Sequence, residues 1–247
     1  YQNALIKWAN VINYNKSFKA KHNLGLLAGT ELLKTDYESM GATGEGFTSK
    51  DLMQLGIAAI PTGVTGTKSQ YALFSLFGEA KYNFMSKYYL SGSVRRDGST
   101  AFGPDNRYGT FWGASAAWNL VNESFMKSVK KIDQLKIRAS VGTSGNDRIG
   151  DFLFLSTYNL GSYGDLTSSF PATPANPLLK WESNFNYNIG LDFGFFNNRL
   201  TGSVEYYNKK TSDLLFPVAL SYTSGFSSQT QNIGEMVNKG VEVELRV

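Results

Sequence analysis

The chain has 247 residues, of which 42% are hydrophobic, 14% aromatic and only 18% charged, with 25 glycines against 6 prolines, a balance that excludes collagen-like and proline-rich disordered chains and fits a folded, β-rich domain. It contains no cysteine and one histidine, which excludes disulfide scaffolds, thiolate metal sites, cysteine nucleophiles and His-rich metal centres. The net charge of +4 is spread over scattered lysines and arginines, which speaks against a nucleic-acid surface.

The longest apolar run, Leu55 to Ile60, falls far short of the roughly 18 residues that a membrane helix needs. A transmembrane β-strand, by contrast, hides its apolar residues at every second position. No leader precedes Tyr1, which reads as a mature or truncated start.

Period-two alternation recurs along the chain and predicts about nine strands. One face of the first carries Ala4, Ile6, Trp8, Ile12 and Tyr14; the second carries Leu24, Leu26, Ala28, Thr30 and Leu32. The third carries Ala72, Phe74, Leu76, Gly78, Ala80 and Tyr82, and the fourth Tyr88, Leu90, Gly92 and Val94. The fifth carries Tyr108, Thr110, Trp112, Ala114, Ala116, Trp118 and Leu120, and the sixth Leu135, Ile137, Ala139 and Val141. The clearest alternation is Glu182 to Phe195, with Phe185, Tyr187, Ile189, Leu191 and Phe193 opposed to Asn184, Asn186, Asn188, Gly190 and Asp192. A tight Asn197–Asn198 turn joins it to Leu200, Gly202, Val204 and Tyr206, and the last strand presents Val237, Val241, Val243, Leu245 and Val247. The opposite faces hold nearly all the charge; only Asn10 and Lys239 break the apolar ones.

A soluble β-sandwich also alternates. The connectors separate the two readings. Lys16 to Lys21, Asn83 to Ser86 and Phe196 to Asn198 are short, whereas Leu33 to Gln70, Arg96 to Asn106, Thr143 to Lys180 and Thr211 to Glu235 are long. This alternation, with aromatics such as Tyr14, Phe18, Tyr82, Phe84, Tyr88, Trp118 and Phe195 beside the short turns, is that of an outer-membrane barrel with tight periplasmic turns and long outer loops. Val121 to Gln134 is long for its side, and Glu123 to Met126 within it reads as a brief helical turn.

Several runs carry a family likeness: Tyr14-Asn15-Lys16-Ser17-Phe18, Arg95-Arg96-Asp97-Gly98-Ser99-Thr100, Leu135 to Gly142 with Gly145-Asn146, Trp181-Glu182 leading to Asn188 through Asp192, Thr211 to Leu215, and Asn232 to Glu242. In this order they resemble the SusC/RagA class of TonB-dependent outer-membrane transporters of Bacteroidota. The resemblance implies an all-β fold, in which residues 1–247 form part of one antiparallel transmembrane barrel of about 22 strands. It places the plug domain, the TonB box and the closing strands outside this chain. It further implies a cell outer membrane location in a Gram-negative bacterium, among lipid and lipopolysaccharide, and a SusD-like surface lipoprotein as partner. Energy would come from TonB, ExbB and ExbD through the plug region, for import of an oligosaccharide or oligopeptide ligand. Other outer-membrane barrels (adhesin or enzyme) and a soluble carbohydrate-binding β-sandwich are the competing readings.

No catalytic arrangement is apparent, and no cofactor or metal is expected. His22 sits at a short turn. Glu242 and Glu244, roughly 7 Å apart on one strand face, could pair as in a glycosidase but read as a solvated wall. Asn146 to Asp151 lacks EF-hand spacing and reads as a polar turn. Arg95, Arg96 and Asp97 read as a hairpin-end salt bridge as readily as a ligand contact. Ligand contacts are expected from the outer loops, where Phe47, Tyr163, Phe170 and Trp181 could stack on sugars or pack on the lipoprotein. Ser49 to Ile57 reads as a short loop helix, with Ser49 as N-cap and Leu52, Leu55 and Ala59 turned inward.

Overall fold

The computed structural model describes residues 1–49, 51, 54–129 and 131–247. Its strands, in chain order, are β1 (Gln2–Phe18), β2 (His22–Glu45), β3 (Ile60–Phe84), β4 (Tyr88–Ser99), β5 (Tyr108–Asn119), β6 (Ile132–Asn146), β7 (Thr157–Tyr163), β8 (Leu166–Thr173), β9 (Glu182–Phe195), β10 (Leu200–Ser212), β11 (Leu215–Ala219), β12 (Ser228–Asn232) and β13 (Glu235–Arg246). One antiparallel sheet of nine strands takes the order β1-β2-β3-β4-β5-β6-β9-β10-β13, and β7-β8 and β11-β12 are separate hairpins. The nine strands are the nine that alternation predicts.

The register makes each predicted apolar face continuous with its neighbours. Ile12 pairs with Ala28, Leu26 with Ala80, Leu90 with Ala116, Ala139 with Ile189, and Tyr206 with Val241. No second sheet covers this face among the described residues: Ile12 is 76% exposed, Ile189 56% and Val241 64%. A sandwich would bury these side chains, so that alternative is overturned. On β2 the apolar stretch runs over the nine residues from Leu24 to Leu32, roughly 26 Å along the strand, which is the length of a tilted transmembrane β-strand.

Glycine and aromatic content are two halves of one packing device. Gly29 pairs with Phe77, Gly98 with Tyr108, Gly202 with Phe193 and Gly240 with Tyr207. In each pair the ring lies where a glycine β-carbon would stand, 2.6 Å from it for Phe77 and Tyr108 and 2.7 Å for Phe193. A ring laid flat over the opposite glycine shields backbone that has no side chain of its own.

The short turns are tight. Lys21 N–H donates to the Phe18 carbonyl at 3.1 Å across Lys19 and Ala20 (φ 49° and 53°), and Lys87 N–H to Phe84 at 3.0 Å across Met85 and Ser86 (φ 54° and 55°). Two successive left-handed residues give the turn whose twist matches the strands. Phe196, Asn197 and Asn198 are left-handed in the third turn. The longer β5–β6 connection folds into 3-10 turns at Leu120–Asn122 and Ser124–Met126.

Three expectations are corrected. Most of the Leu33 to Gln70 connector is strand, because β2 and β3 continue, flanked by β1 as far as Glu38 and then as a two-stranded arm with a register shift at Thr43/Gly44. Beyond the last β1 pair at Gln2–Glu38, where Glu38 pairs with Lys68, the two-stranded arm runs from Thr67 back to Ile60, about 23 Å. Thr43, Thr62, Thr65 and Thr67 favour strand there, yet with neither face apolar the alternation signal vanishes. The helix expected over 49–57 is, among the described residues, one 3-10 turn at Leu55–Ile57; Ser49 accepts from the Asp51 N–H at 3.2 Å, Leu55 is 54% exposed, and Leu52 lies outside the described residues. The apolar face also carries Lys34, Arg96 and Lys210, all near the end with the long connectors.

Candidate functional site

The polar face carries two ion-pair networks flanking a neutral strip. In the first, Lys7 meets Glu31 at 2.8 Å, and the Arg95 guanidinium reaches Glu31 at 3.6 Å, Asp97 at 2.6 Å and Ser75 Oγ at 2.7 Å, while lying over the Phe77 ring. Four strands, β1 to β4, are thereby joined on one side of the sheet. In the second, Arg138 holds Asp192 at 3.1 Å and Glu205 at 2.5 Å, Asn188 Nδ2 donates to Glu205 at 2.7 Å, and Ser140 bonds Asn188. This network joins β6, β9 and β10. Between the two lies a groove of about 530 Å³ lined by Ser93, Gly113, Ser140, Gly142, Ser144 and Asn186 among others and edged by the paired Arg95 and Asp97. Because Arg95 and Asp97 neutralise each other, the groove offers a polar guest hydroxyls, amides and bare backbone for the most part.

At the short-turn end, Glu123 is a bracket. One carboxylate oxygen accepts from Lys87 Nζ at 2.7 Å, and the other from Tyr88 Oη at 2.7 Å and Trp118 Nε1 at 3.1 Å. Glu123 is only 8% exposed, and its bonds to Lys87, Tyr88 and Trp118 hold its pKa down to about 2. The β5–β6 turn is long because it folds back to deliver this carboxylate. The sequence offered Glu123 as part of a helical turn, without any sign of its three donors.

The opposite end holds the buried hydrophobic residues of the described structure: Ala101, Phe102 and Leu179. Trp181 stands 5.4 Å from both the Phe102 and Phe111 rings and donates its indole N–H to the Arg107 carbonyl at 3.0 Å. Asn232 ties the β11-β12 hairpin to the same cluster, accepting from Lys180 N–H at 2.9 Å and donating to the Lys180 carbonyl at 2.8 Å.

The four aromatics singled out in the sequence lie on separate elements. Phe47 is half-buried beyond the end of β2. Tyr163, 83% exposed, and Phe170, 50% exposed, share one face of the β7-β8 hairpin, where Phe170 pairs with Asn159 and Tyr163 with Leu166. Trp181 belongs to the packed cluster. No ring contact joins the four among the described residues. Of the other candidates, His22 Nδ1 bonds Tyr82 Oη at 2.6 Å, and Glu244 pairs with Arg246 at 2.6 Å. Asp147 accepts from Tyr71 at 2.7 Å and Asp151 from Ser69, which fasten the Asn146 to Asp151 turn to β3. Arg95 and Asp97 form the expected bridge, and Arg96 instead lies over the Tyr108 ring at 5.1 Å.

The whole chain, residues 1–247, matches the model of the TonB dependent receptor-like β-barrel family. It is 37% identical over 96% of its length to TonB-dependent receptor P39 of Formosa agariphila, and 37% identical over 73% of its length to TonB-dependent receptor SusC of Bacteroides thetaiotaomicron. Those alignments span 23% and 19% of the two relatives, so the chain covers about a quarter or less of their length. The RagAB peptide importer in its closed-closed state superposes with a TM-score of 0.93 at 33% identity, over 98% of this chain and 27% of that one. The siderophore receptor PirA of Acinetobacter baumannii, at 12% identity and a TM-score of 0.62 over 98% of this chain and 34% of that one, shares the fold alone. The exposed apolar face therefore meets lipid and the polar face lines the lumen: this chain belongs to the TonB-dependent receptor-like β-barrel family and forms nine strands of an outer-membrane barrel wall.

Proposed function

We propose that the protein containing this chain imports an oligosaccharide or oligopeptide across the outer membrane, with a SusD-like surface lipoprotein as its lid. The observation that carries this reading is the superposition on the RagAB peptide importer over 98% of the chain. β1 and β13 each offer an unpaired edge, which lipid does not tolerate, so further strands of the same protein close the barrel around a plug that TonB, ExbB and ExbD act on. The exposed aromatics Tyr163 and Phe170, together with Phe47 and Trp181, are proposed to meet the ligand or the lipoprotein at the outer end. The proposed role of the wall is passive: fixed ion pairs hold its shape and a neutral strip lets a polar solute slide.

The test is uptake of labelled oligosaccharides and oligopeptides by cells expressing the full-length protein, with and without TonB, alongside purification from detergent-extracted outer membranes. TonB-dependent uptake and a co-purifying lipoprotein are expected. Uptake that persists without TonB, or recovery of the protein in the soluble fraction, would contradict the proposal.

A further inference from the structure

Arg95 and Arg96 are consecutive on β4 and turn to opposite faces of the sheet. Arg95 meets Glu31 and Asp97 on the polar face, whereas Arg96 stands in the lipid-facing row, across from Leu76 on β3 and Thr110 on β5. Of the strand arginines, Arg95, Arg138 and Arg246 each hold a carboxylate; Arg96, among the described residues, has none in ion-pair contact. Thr110 brings only a hydroxyl, which can accept one of its N–H groups and leaves the charge unmatched. Both strands beside Arg96 belong to this chain, and the lumen lies on the other side of the sheet, so no closing strand adjoins it and no plug faces it.

The guanidinium is held in place. The Tyr108 ring lies over Gly98, 2.6 Å from where a β-carbon there would stand, and Arg96 lies in turn over that ring, 5.1 Å from its centre. Such an aromatic platform steadies the cation and leaves its N–H fork free. Arg96 is the ninth residue of β4 from the short turn, and a tilted strand crosses the hydrocarbon in about nine to eleven residues, which sets the charge at the outer headgroup level. Toward the short turn the same face continues as Val94, Trp112, Ala114 and Leu90, a bed for acyl chains. Lys34 and Lys210 on this face are already held, by Asp36 at 2.9 Å and Glu235 at 2.6 Å.

We infer that Arg96, on its Tyr108 platform, binds a phosphate of a lipopolysaccharide molecule of the outer leaflet, whose acyl chains lie on the apolar face beneath it. The headgroup at this rim of an outer-membrane barrel is a phosphorylated glycolipid, and an arginine fork without a protein carboxylate takes two phosphate oxygens side by side. The contact is independent of what the lumen carries.

The experiment places the full-length receptor in phosphatidylcholine nanodiscs containing equal amounts of lipid A and dephosphorylated lipid A, and reads by native mass spectrometry the ratio in which the two stay bound. The wild type is expected to favour the phosphorylated form, and R96Q to lower the ratio roughly tenfold. K210Q, whose lysine already holds Glu235, is expected to leave it unchanged. A wild type without the preference, which is what an arginine merely reaching water would give, overturns the inference whether or not R96Q folds. So does an R96Q ratio equal to that of the wild type, or a loss in K210Q as large as that in R96Q, which would mean general charge rather than a site. Release of lipid A by millimolar inorganic phosphate would make Arg96 a bare anion site and overturn the lipid assignment.

Discussion

Gly190 stands directly across from Arg138, and the Arg138 Cζ lies 2.8 Å from where a β-carbon on Gly190 would be. The glycine is the slot through which the guanidinium crosses β9 to reach Glu205 on β10. A methyl group there forces Arg138 aside and separates three strands' worth of charge.

Gly190→Ala is therefore expected to weaken this network by roughly 1 kcal/mol or less, since what it displaces is the far end of a flexible, part-exposed side chain. Urea titration of the full-length receptor in detergent micelles measures it. Because G190A and R138Q break the same network, the double variant loses less than the sum of the two; strict additivity would mean that Gly190 does not act through Arg138.

Glu123 sets an acid limit on the β5–β6 turn. Its pKa in the folded protein, about 2, lies below the ordinary carboxylate value near 4.3, so its stabilising contribution is fully present above about pH 4.5 and is lost as pH falls through 2. Acid titration of the receptor, followed by the fluorescence of Trp118, is expected to show a transition in that window. Glu123→Gln removes the transition, and an unchanged titration curve in E123Q would disprove the assignment.

The face assignment predicts opposite responses on adjacent strand sides. Ile189→Lys places a charge in the lipid-facing band and is expected to cost about 2–4 kcal/mol near the bilayer midplane. Ser93→Lys, on the lumen face, is expected to leave folding nearly unchanged. The yield of heat-modifiable barrel in the outer membrane distinguishes them, and equal losses would contradict the register.

At the outer end, Phe102→Ala empties a fully buried ring position and is expected to loosen the cluster by about 3–5 kcal/mol. Trp181→Ala acts in the same way, since Trp181 joins Phe102 to Phe111. Limited proteolysis on intact cells should show faster cleavage near residues 100–106 and 174–181 in both variants and no change in Y163A or F170A. Protease resistance equal to wild type in W181A would make Trp181 a free surface residue.

Much of this molecule can be read from alternation because the physics of a two-faced wall acts residue by residue. A strand between lipid and lumen, such as Glu182 to Phe195, must place apolar groups at every second position, and that fixes its phase, its turns and the sheet order of consecutive hairpins. The signal fails where that constraint ends. Ile60 to Gln70 and Thr157 to Thr173 form strands with no apolar side to hide, so they look like loops in the sequence.

The sequence by itself determined the faces, the nine main strands and the family likeness, because each depends on local pattern. Only the tertiary structure decided which groups meet. Nothing in the spacing of Lys87, Trp118 and Glu123, of Arg138 and Glu205, or of Phe102 and Trp181 predicts their contact, since register, strand tilt and folded-back turns set those distances across many residues. The same holds for the hollow on the polar face whose lining runs from Asn15 on β1 to Lys136 on β6, residues that become neighbours only once six strands are laid side by side.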